Sequence, residues 1–154
     1  MNSLLWLCPS EEATLRFAET IGRSLIAPAW VGLCGELGTG KTRLAQGLAR
    51  GLGYAGRVKS PTFVLEQRYR GRVPIFHLDL YRVEAAGEEF QSLWEENADE
   101  AVILVEWAEK VAEPPRGALW LHLTAAGELG RWIRLSWQRQ GAPVRDLCLG
   151  RRTA

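Results

Sequence analysis

The sequence predicts an α/β fold in a single domain. Residues 35–42, Gly-Glu-Leu-Gly-Thr-Gly-Lys-Thr, match the pattern G-x-x-x-x-G-K-[ST] without a mismatch, between a short apolar run and a helical pattern. Residues 101–105 are apolar without interruption, which is typical of a central strand covered on both faces. The length of 154 residues and the 47% hydrophobic content suit one domain with one core.

The N-terminal part of the sequence predicts two strand–helix pairs. Residues 4–8 predict a first strand, and Ser10 followed by two glutamates is an N-cap signal for a helix that runs to about residue 26. A strand over residues 30–34 and a helix over residues 41–52 then enclose the glycine-rich loop. This order places the loop at the carboxyl end of a buried strand, as a P-loop requires.

The C-terminal part predicts two hairpins, an acidic helix and the central strand. In chain order these elements cover residues 63–69 with 73–80, 88–97, 101–105, and 118–124 with 132–137. The predicted P-loop domain spans residues 1–140, and the polar, arginine-rich segment 141–154 is predicted to be a mobile tail.

Charge and cysteine content exclude several classes of protein. A net charge of +1 argues against coating of nucleic acid through bulk electrostatics. Residues 84–113 are nevertheless acidic and residues 131–152 rich in arginine, which predicts either two docking faces or two solvated faces. The three cysteines have no C-x-x-C spacing, so neither a disulfide framework nor a zinc site is indicated. Without a signal peptide or a long apolar run, we expect a cytoplasmic protein with no membrane contact.

The glycine-rich loop carries the chemistry of phosphate binding. Its glycines let consecutive N–H groups face a phosphate, and the helix N-terminus adds positive potential. Lys41 is predicted to reach the β- and γ-phosphates of a nucleotide, and the Thr42 hydroxyl to ligate Mg²⁺. The nucleotide-binding residues predicted from this loop are Gly35, Glu36, Leu37, Gly38, Thr39, Gly40, Lys41 and Thr42. A chance glycine-rich turn is the alternative, against which both flanking elements speak.

Two carboxylates are candidates for the metal site. Glu106 follows the apolar run 101–105, the pattern of a Walker B strand with Glu in place of Asp, so we favour it as a metal ligand, direct or through water. Asp79 lies in a strand of mixed polarity. We predict that it either supports the metal ligands without contacting the ion or orients the attacking water. The alternatives are a hydrogen bond accepted by Asp79 that fixes residues 81–82, and an exposed strand-end role for Glu106.

Other polar residues leave more than one interpretation open. His77 shares a strand face with Asp79 and is predicted to be a hydrogen-bonded structural histidine rather than a general base. Residues 59–62 predict either a loop that senses the γ-phosphate or a tight connector. Arg82 is one candidate for stabilising charge in the transition state, and Trp107, next to Glu106, is a candidate neighbour of the site.

Four segments together resemble a known family. They are Gly-Glu-Leu-Gly-Thr-Gly-Lys-Thr at 35–42, Ser-Pro-Thr-Phe at 60–63, His-Leu-Asp-Leu-Tyr-Arg at 77–82 and Val-Glu-Trp at 105–107. In this order and at these separations they are similar to the bacterial TsaE family, formerly YjeE, the ATPases required for tRNA threonylcarbamoyladenosine biosynthesis. The resemblance covers about residues 10–137.

The resemblance implies a small P-loop fold with a mixed sheet, largely parallel at its centre, flanked by helices and ending in a β-hairpin. It also implies Mg²⁺-dependent ATP binding and slow hydrolysis. The partners it implies are the TsaB and TsaD proteins, which place a threonylcarbamoyl group on adenosine 37 of tRNAs reading codons that begin with A. TsaD performs that transfer, so the ATPase supports turnover of the complex and meets tRNA only indirectly.

The resemblance also assigns roles to individual residues. Lys41 becomes the phosphate lysine, Thr42 and Glu106 become metal-site residues, and Asp79 a residue needed for hydrolysis. Glu11 and Arg131 are expected to flank the nucleotide base. Arg43 is included among the nucleotide-binding residues, although this position is often a second threonine in the family.

Three other functions compete with this interpretation. A small-molecule kinase also pairs a P-loop with a compact α/β domain, but we find no long arginine-bearing lid in the sequence. A GTPase would need an Asn-Lys-x-Asp sequence to read the base, and none is present. A binding module without hydrolysis would bind nucleotide and release no phosphate even with its partners.

Overall fold

The computed structural model describes residues 1–61, 65–84, 87–97 and 99–138, without the side chains of Glu89 and Leu93. The strands are β1 (Asn2–Cys8), β2 (Ala29–Cys34), β3 (Glu66–Arg70), β4 (Pro74–Asp79), β5 (Val102–Glu106), β6 (Leu119–Ala126) and β7 (Gly130–Trp137). The helices are α1 (Glu11–Ser24), α2 (Lys41–Gly51) and α3 (Glu88–Glu95), and Ala108–Lys110 form a short 3₁₀ turn. The predicted domain boundary at residue 140, the segment 141–154 and Thr62 lie outside the described residues.

The strands form one mixed sheet of seven strands in the order β1-β7-β6-β2-β5-β4-β3. The four central strands, β6, β2, β5 and β4, are parallel to their neighbours in this group. Antiparallel hairpins complete the two sides of the sheet, with β3 on β4 and β7 on β6, and β1 pairs with β7. The predicted α/β class, the parallel centre and the C-terminal hairpin are therefore confirmed.

Helices α1 and α2 cover one face of the sheet. Ser10 caps α1 as predicted, because its side-chain oxygen accepts a hydrogen bond from the Ala13 N–H at 3.1 Å. The apolar sides of both helices join the strand residues of that face in one buried cluster, which includes Ile21, Leu48 and Leu104. A second cluster on the opposite face contains α3 and the 3₁₀ turn. Parallel strands buried on both faces explain the unbroken apolar run of β5.

Close backbone contact fixes how α2 lies on α1. The two helices run in the same direction, since Gly51 lies beside Glu19 near their carboxyl ends while Arg43 pairs with Glu11 near their N-termini. A Cβ atom at position 51 would overlap the Glu19 carbonyl oxygen and lie 2.8 Å from the Gly22 Cα. Only glycine fits there, so the N-terminus of the P-loop helix is positioned by a backbone contact at its far end.

The β3–β4 hairpin is hydrogen-bonded to the C-terminal ends of both helices. Arg72, in the hairpin turn, donates hydrogen bonds to the carbonyl oxygens of Gly51 at 2.8 Å, Gly22 at 3.0 Å and Leu25 at 2.7 Å. These carbonyls end α2 and α1, where helices carry unsatisfied acceptors and partial negative charge. One guanidinium group therefore ties both helix ends to the hairpin.

We expect Gly51→Ala to lower the free energy of unfolding by about 1–3 kcal/mol, because the added methyl group overpacks the α1–α2 contact. Chemical denaturation of the full chain measures this change. Gly87→Ala is the matched control, since a Cβ at position 87 meets nothing within 4 Å, and it should change stability by less than about 1 kcal/mol. Equal stability of the two variants would contradict the packing described for α1 and α2.

Several element boundaries differ from those predicted. Strand β5 includes Glu106 as its last residue, whereas the prediction ended the strand at residue 105. Helix α3 ends at Glu95 instead of residue 97. The 3₁₀ turn after β5 was not predicted, because three residues give no periodic pattern. Among the described residues no helix is long and apolar enough to cross a membrane.

Candidate nucleotide-binding site

The P-loop connects β2 to α2 at the carboxyl edge of the parallel strands. Its backbone φ angle is positive at Gly35, Gly38 and Gly40, with Gly40 at 102° as the N-cap of α2. That conformation needs glycine, and a residue without a side chain leaves the first N–H groups of the helix available to a ligand. Leu37 lies at the loop tip with 73% of its surface exposed, so it contributes its main chain. The geometry is that of an anion-binding helix N-terminus.

Lys41 is held inside the loop rather than in solvent. Only 5% of its surface is exposed, and its Nζ donates to the carbonyl oxygens of Gly35 at 2.6 Å and Glu36 at 2.9 Å. The same Nζ lies 3.9 Å from the ring centroid of Trp107, a cation–π contact. Burial lowers the pKa of the ammonium group, and the nearby Glu106 carboxylate opposes this effect.

Thr42 and Glu106 meet at the start of α2, although they are 64 residues apart in the chain. The Thr42 hydroxyl lies 3.0 Å from Oε1 and 3.1 Å from Oε2 of Glu106, and it donates to one of these oxygens. Glu106 is 3% exposed, which rules out the alternative of an exposed strand-end acid. A hydroxyl and a carboxylate in contact offer hard oxygen ligands at the mouth of the loop.

Asp79 lies beside Glu106 on the neighbouring strand, because the two residues are paired in the β4–β5 register. Its Oδ2 accepts a hydrogen bond from the Ser60 hydroxyl at 3.0 Å, and its Oδ1 accepts one from the Tyr81 N–H at 2.9 Å. The bond from Ser60 connects the segment 59–61 to the site. The bond from Tyr81 matches the structural role that the sequence left open for Asp79.

The residues expected to flank the base lie at the same edge. Arg43 in the first turn of α2 forms an ion pair with Glu11 in the first turn of α1, and 42% and 65% of the two side chains are exposed. Arg131, at the start of β7, donates from Nε to the Thr39 carbonyl oxygen at 2.6 Å. The structure therefore brings Glu11, Arg43 and Arg131 to the P-loop.

Sequence reasoning missed Lys110. Its Nζ donates to three carbonyl oxygens of the turn after β4, those of Leu80 at 3.0 Å, Tyr81 at 2.8 Å and Val83 at 2.9 Å. This turn includes Arg82, which is exposed, and follows Asp79 directly. Lys110 is the only basic residue within the acidic stretch 84–113, a signal that was available in the sequence.

Comparison with known proteins identifies the family. A family model described as "Threonylcarbamoyl adenosine biosynthesis protein TsaE" matches residues 8–133. The chain belongs to the TsaE family. The TsaE match spans every residue placed at the site above, from Glu11 to Arg131.

Curated relatives and a solved structure agree with this TsaE assignment. The tRNA threonylcarbamoyladenosine biosynthesis protein TsaE of Synechocystis sp. is 37% identical over 74% of this chain and 76% of that protein. The protein of the same name from Bacillus subtilis is 35% identical over 86% of this chain and 85% of its own length. The crystal structure of Bacillus subtilis YdiB superposes with a TM-score of 0.68 at 29% identity, covering 87% of this chain and 84% of that one.

Proposed function

We propose that this chain is the ATP-binding and ATP-hydrolysing member of the machinery for tRNA threonylcarbamoyladenosine biosynthesis. It supports turnover of a TsaB–TsaD complex that modifies adenosine 37 of tRNAs reading codons that begin with A, and it does not perform the transfer itself. The observation that carries the proposal is the contact between Thr42 and Glu106, at 3.0 Å, beside the buried Lys41. Membership of a family named for this biosynthesis supports the pathway.

The P-loop supplies the phosphate-binding groups. The N–H groups at the start of α2 have no side-chain cap, so they are available to attract a triphosphate. Lys41 exchanges its bonds to the Gly35 and Glu36 carbonyls for bonds to phosphate oxygens. That exchange moves an ammonium group from neutral acceptors to charged ones, which form stronger hydrogen bonds.

The residues at the mouth of the loop fit Mg²⁺. Within the described residues no group of three or more His, Cys, Asp or Glu side chains is placed to hold a metal ion, so we propose no cage made of protein alone. Mg²⁺ usually takes one or two protein oxygens together with phosphate and water, and Thr42 and Glu106 are two such oxygen donors in contact. When bound, the ion would neutralise charge on the phosphate oxygens.

Asp79 is proposed to orient the attacking water. Its carboxylate is 3% exposed and lies next to Glu106 in register, while the Ser60 and Tyr81 bonds restrict its rotation. Because Ser60 bonds directly to Asp79, the segment 59–61 is placed to respond to a γ-phosphate.

The base is proposed to lie near Glu11, Arg43 and Arg131. The partly exposed Glu11–Arg43 pair lies at the N-termini of α1 and α2, and Arg131 contacts the loop backbone at Thr39. Arg43 offers a planar cation that can stack on a base or bind the α-phosphate.

The exposed acidic residues of α3 and the turn after it, such as Glu95 and Glu100, form a face available to a protein partner.

The test is phosphate release by the purified chain with Mg²⁺ and ATP, alone and with TsaB, TsaD and tRNA. We expect slow release alone and faster release with the partners. ATP binding without release under every condition would leave a binding module, and partner-independent phosphorylation of a small molecule would favour a kinase. Absence of ATP binding would refute the proposal.

A further inference from the structure

Among the described residues, His77 makes the shortest hydrogen-bond contact to the Glu106 carboxylate. Its Nε2 lies 2.8 Å from Glu106 Oε1, across the β4–β5 pair, and the exposed fractions of the two side chains are 0% and 3%. His77 lies two residues before Asp79 on the same face of β4, and from there its side chain contacts Glu106. Solvent cannot compete for this contact.

The contact with His77 restricts the orientation of the Glu106 carboxylate. Glu106 Oε1 lies 2.8 Å from His77 Nε2 and 3.0 Å from the Thr42 hydroxyl, which also lies 3.1 Å from Oε2. A carboxylate oxygen accepts, so Nε2 donates and the ring is not placed to take a proton from a water. The other ring nitrogen, Nδ1, is buried without a hydrogen-bond partner among the described residues. An apolar side chain would avoid that unsatisfied group, so the gain from this histidine lies in its bond to Glu106.

We infer that His77 is a positioning residue that orients Glu106 toward the Mg²⁺ of a bound nucleotide. The inference rests on the proposed function, because it assigns Glu106 to the metal. Residues that hydrogen-bond to a metal-ligating carboxylate fix its direction, and their loss typically weakens metal affinity or activity about 10- to 100-fold. His77 holds Glu106 through the one nitrogen that faces it, and takes no part in the reaction itself.

The experiment compares His77→Leu and His77→Gln with His122→Leu. The glutamine amide places an N–H donor near the position of the imidazole Nε2, whereas leucine removes it. His122, the only other histidine of the chain, lies on β6 and is a matched control. Two measurements are made, the free Mg²⁺ concentration that gives half-maximal hydrolysis with TsaB and TsaD, and the affinity for a fluorescent ATP analogue with Mg²⁺ or with a chelator.

We expect His77→Leu to raise the half-maximal Mg²⁺ concentration about 10- to 100-fold and to leave affinity in chelator within about threefold of wild type. His77→Gln should recover most of the Mg²⁺ response, and His122→Leu should match wild type. A merely structural role would lower affinity in chelator as well, or would leave the Mg²⁺ response unchanged.

Besides a lowered affinity in chelator, three outcomes would overturn the inference. The first is a Mg²⁺ response of His77→Leu equal to that of His122→Leu, which would leave the proposed ATPase function intact. The second is a His77→Gln variant that folds, as its melting curve shows, but responds to Mg²⁺ no better than His77→Leu. If His77→Leu does not fold, a wild-type response of His77→Gln supports the inference and a weakened one contradicts it. The third is a wild-type chain that binds no nucleotide, which removes the proposed function as well.

Discussion

Lys41→Ala is expected to weaken ATP binding by at least about 10- to 150-fold and to abolish phosphate release. The estimate corresponds to the loss of one charge-assisted hydrogen bond, about 1.5–3 kcal/mol, and Lys41 is proposed to make more than one. The N–H groups of the loop remain, so residual binding is expected. Calorimetry or a fluorescent ATP analogue measures the affinity, and released phosphate measures the reaction.

The loss in Lys41→Ala should not come from unfolding. Burial lowers the pKa of Lys41, which means that the charged ammonium is less favourable in the folded site than in water. Lys41→Met, which keeps the aliphatic length, should therefore melt at or above the wild-type temperature while binding ATP as weakly as Lys41→Ala. Arg50→Ala removes a positive charge from the last turn of the same helix and should bind ATP normally. Equal affinities for Lys41→Ala and Arg50→Ala would contradict the assignment of Lys41.

Glu106→Gln is expected to lower hydrolysis without lowering the affinity for ATP. Hydrolysis with Mg²⁺ should fall at least about 100-fold, the scale of losing one electrostatic group of an active site. ATP affinity in chelator should stay equal or rise, because the substitution removes a negative charge that would repel the triphosphate. The glutamine keeps the shape of the side chain and can still accept the Thr42 hydrogen bond.

Glu113→Gln is the matched control for Glu106→Gln. It makes the same chemical change on an exposed side chain that follows the 3₁₀ turn, and should keep the wild-type response to Mg²⁺. Persistent hydrolysis in Glu106→Gln, together with its loss in Lys41→Ala, would overturn the metal assignment. If only Asp79→Asn lost the Mg²⁺ response, the metal ligand would be Asp79 instead.

Local patterns predicted most of the fold because each element carries its own signal. The P-loop motif marks the end of β2 and the start of α2, and the apolar run marks β5 as a central strand. The same two signals were enough to predict that Lys41, Thr42 and Glu106 share one site. Glu106 ends a strand, and Lys41 and Thr42 begin the helix that follows the P-loop, at the sheet edge where parallel sheets place their ligands.

Contacts that depend on strand register were beyond these patterns. The bond between His77 and Glu106 exists because β4 and β5 pair in one particular register, which no sequence period encodes. Lys110 finds its three carbonyls through the unpredicted turn after β5. The pairing of β1 with β7 joins the first strand of the chain to the last, so it is set by the whole fold.

The position of Trp107 over the Lys41 ammonium has a practical consequence. The centre of its indole ring lies 3.9 Å from the Lys41 Nζ. Because Lys41 is proposed to turn toward the phosphates of a bound nucleotide, the fluorescence of Trp107 should change on binding. Intrinsic tryptophan fluorescence should therefore report nucleotide binding in a stopped-flow experiment without an attached dye.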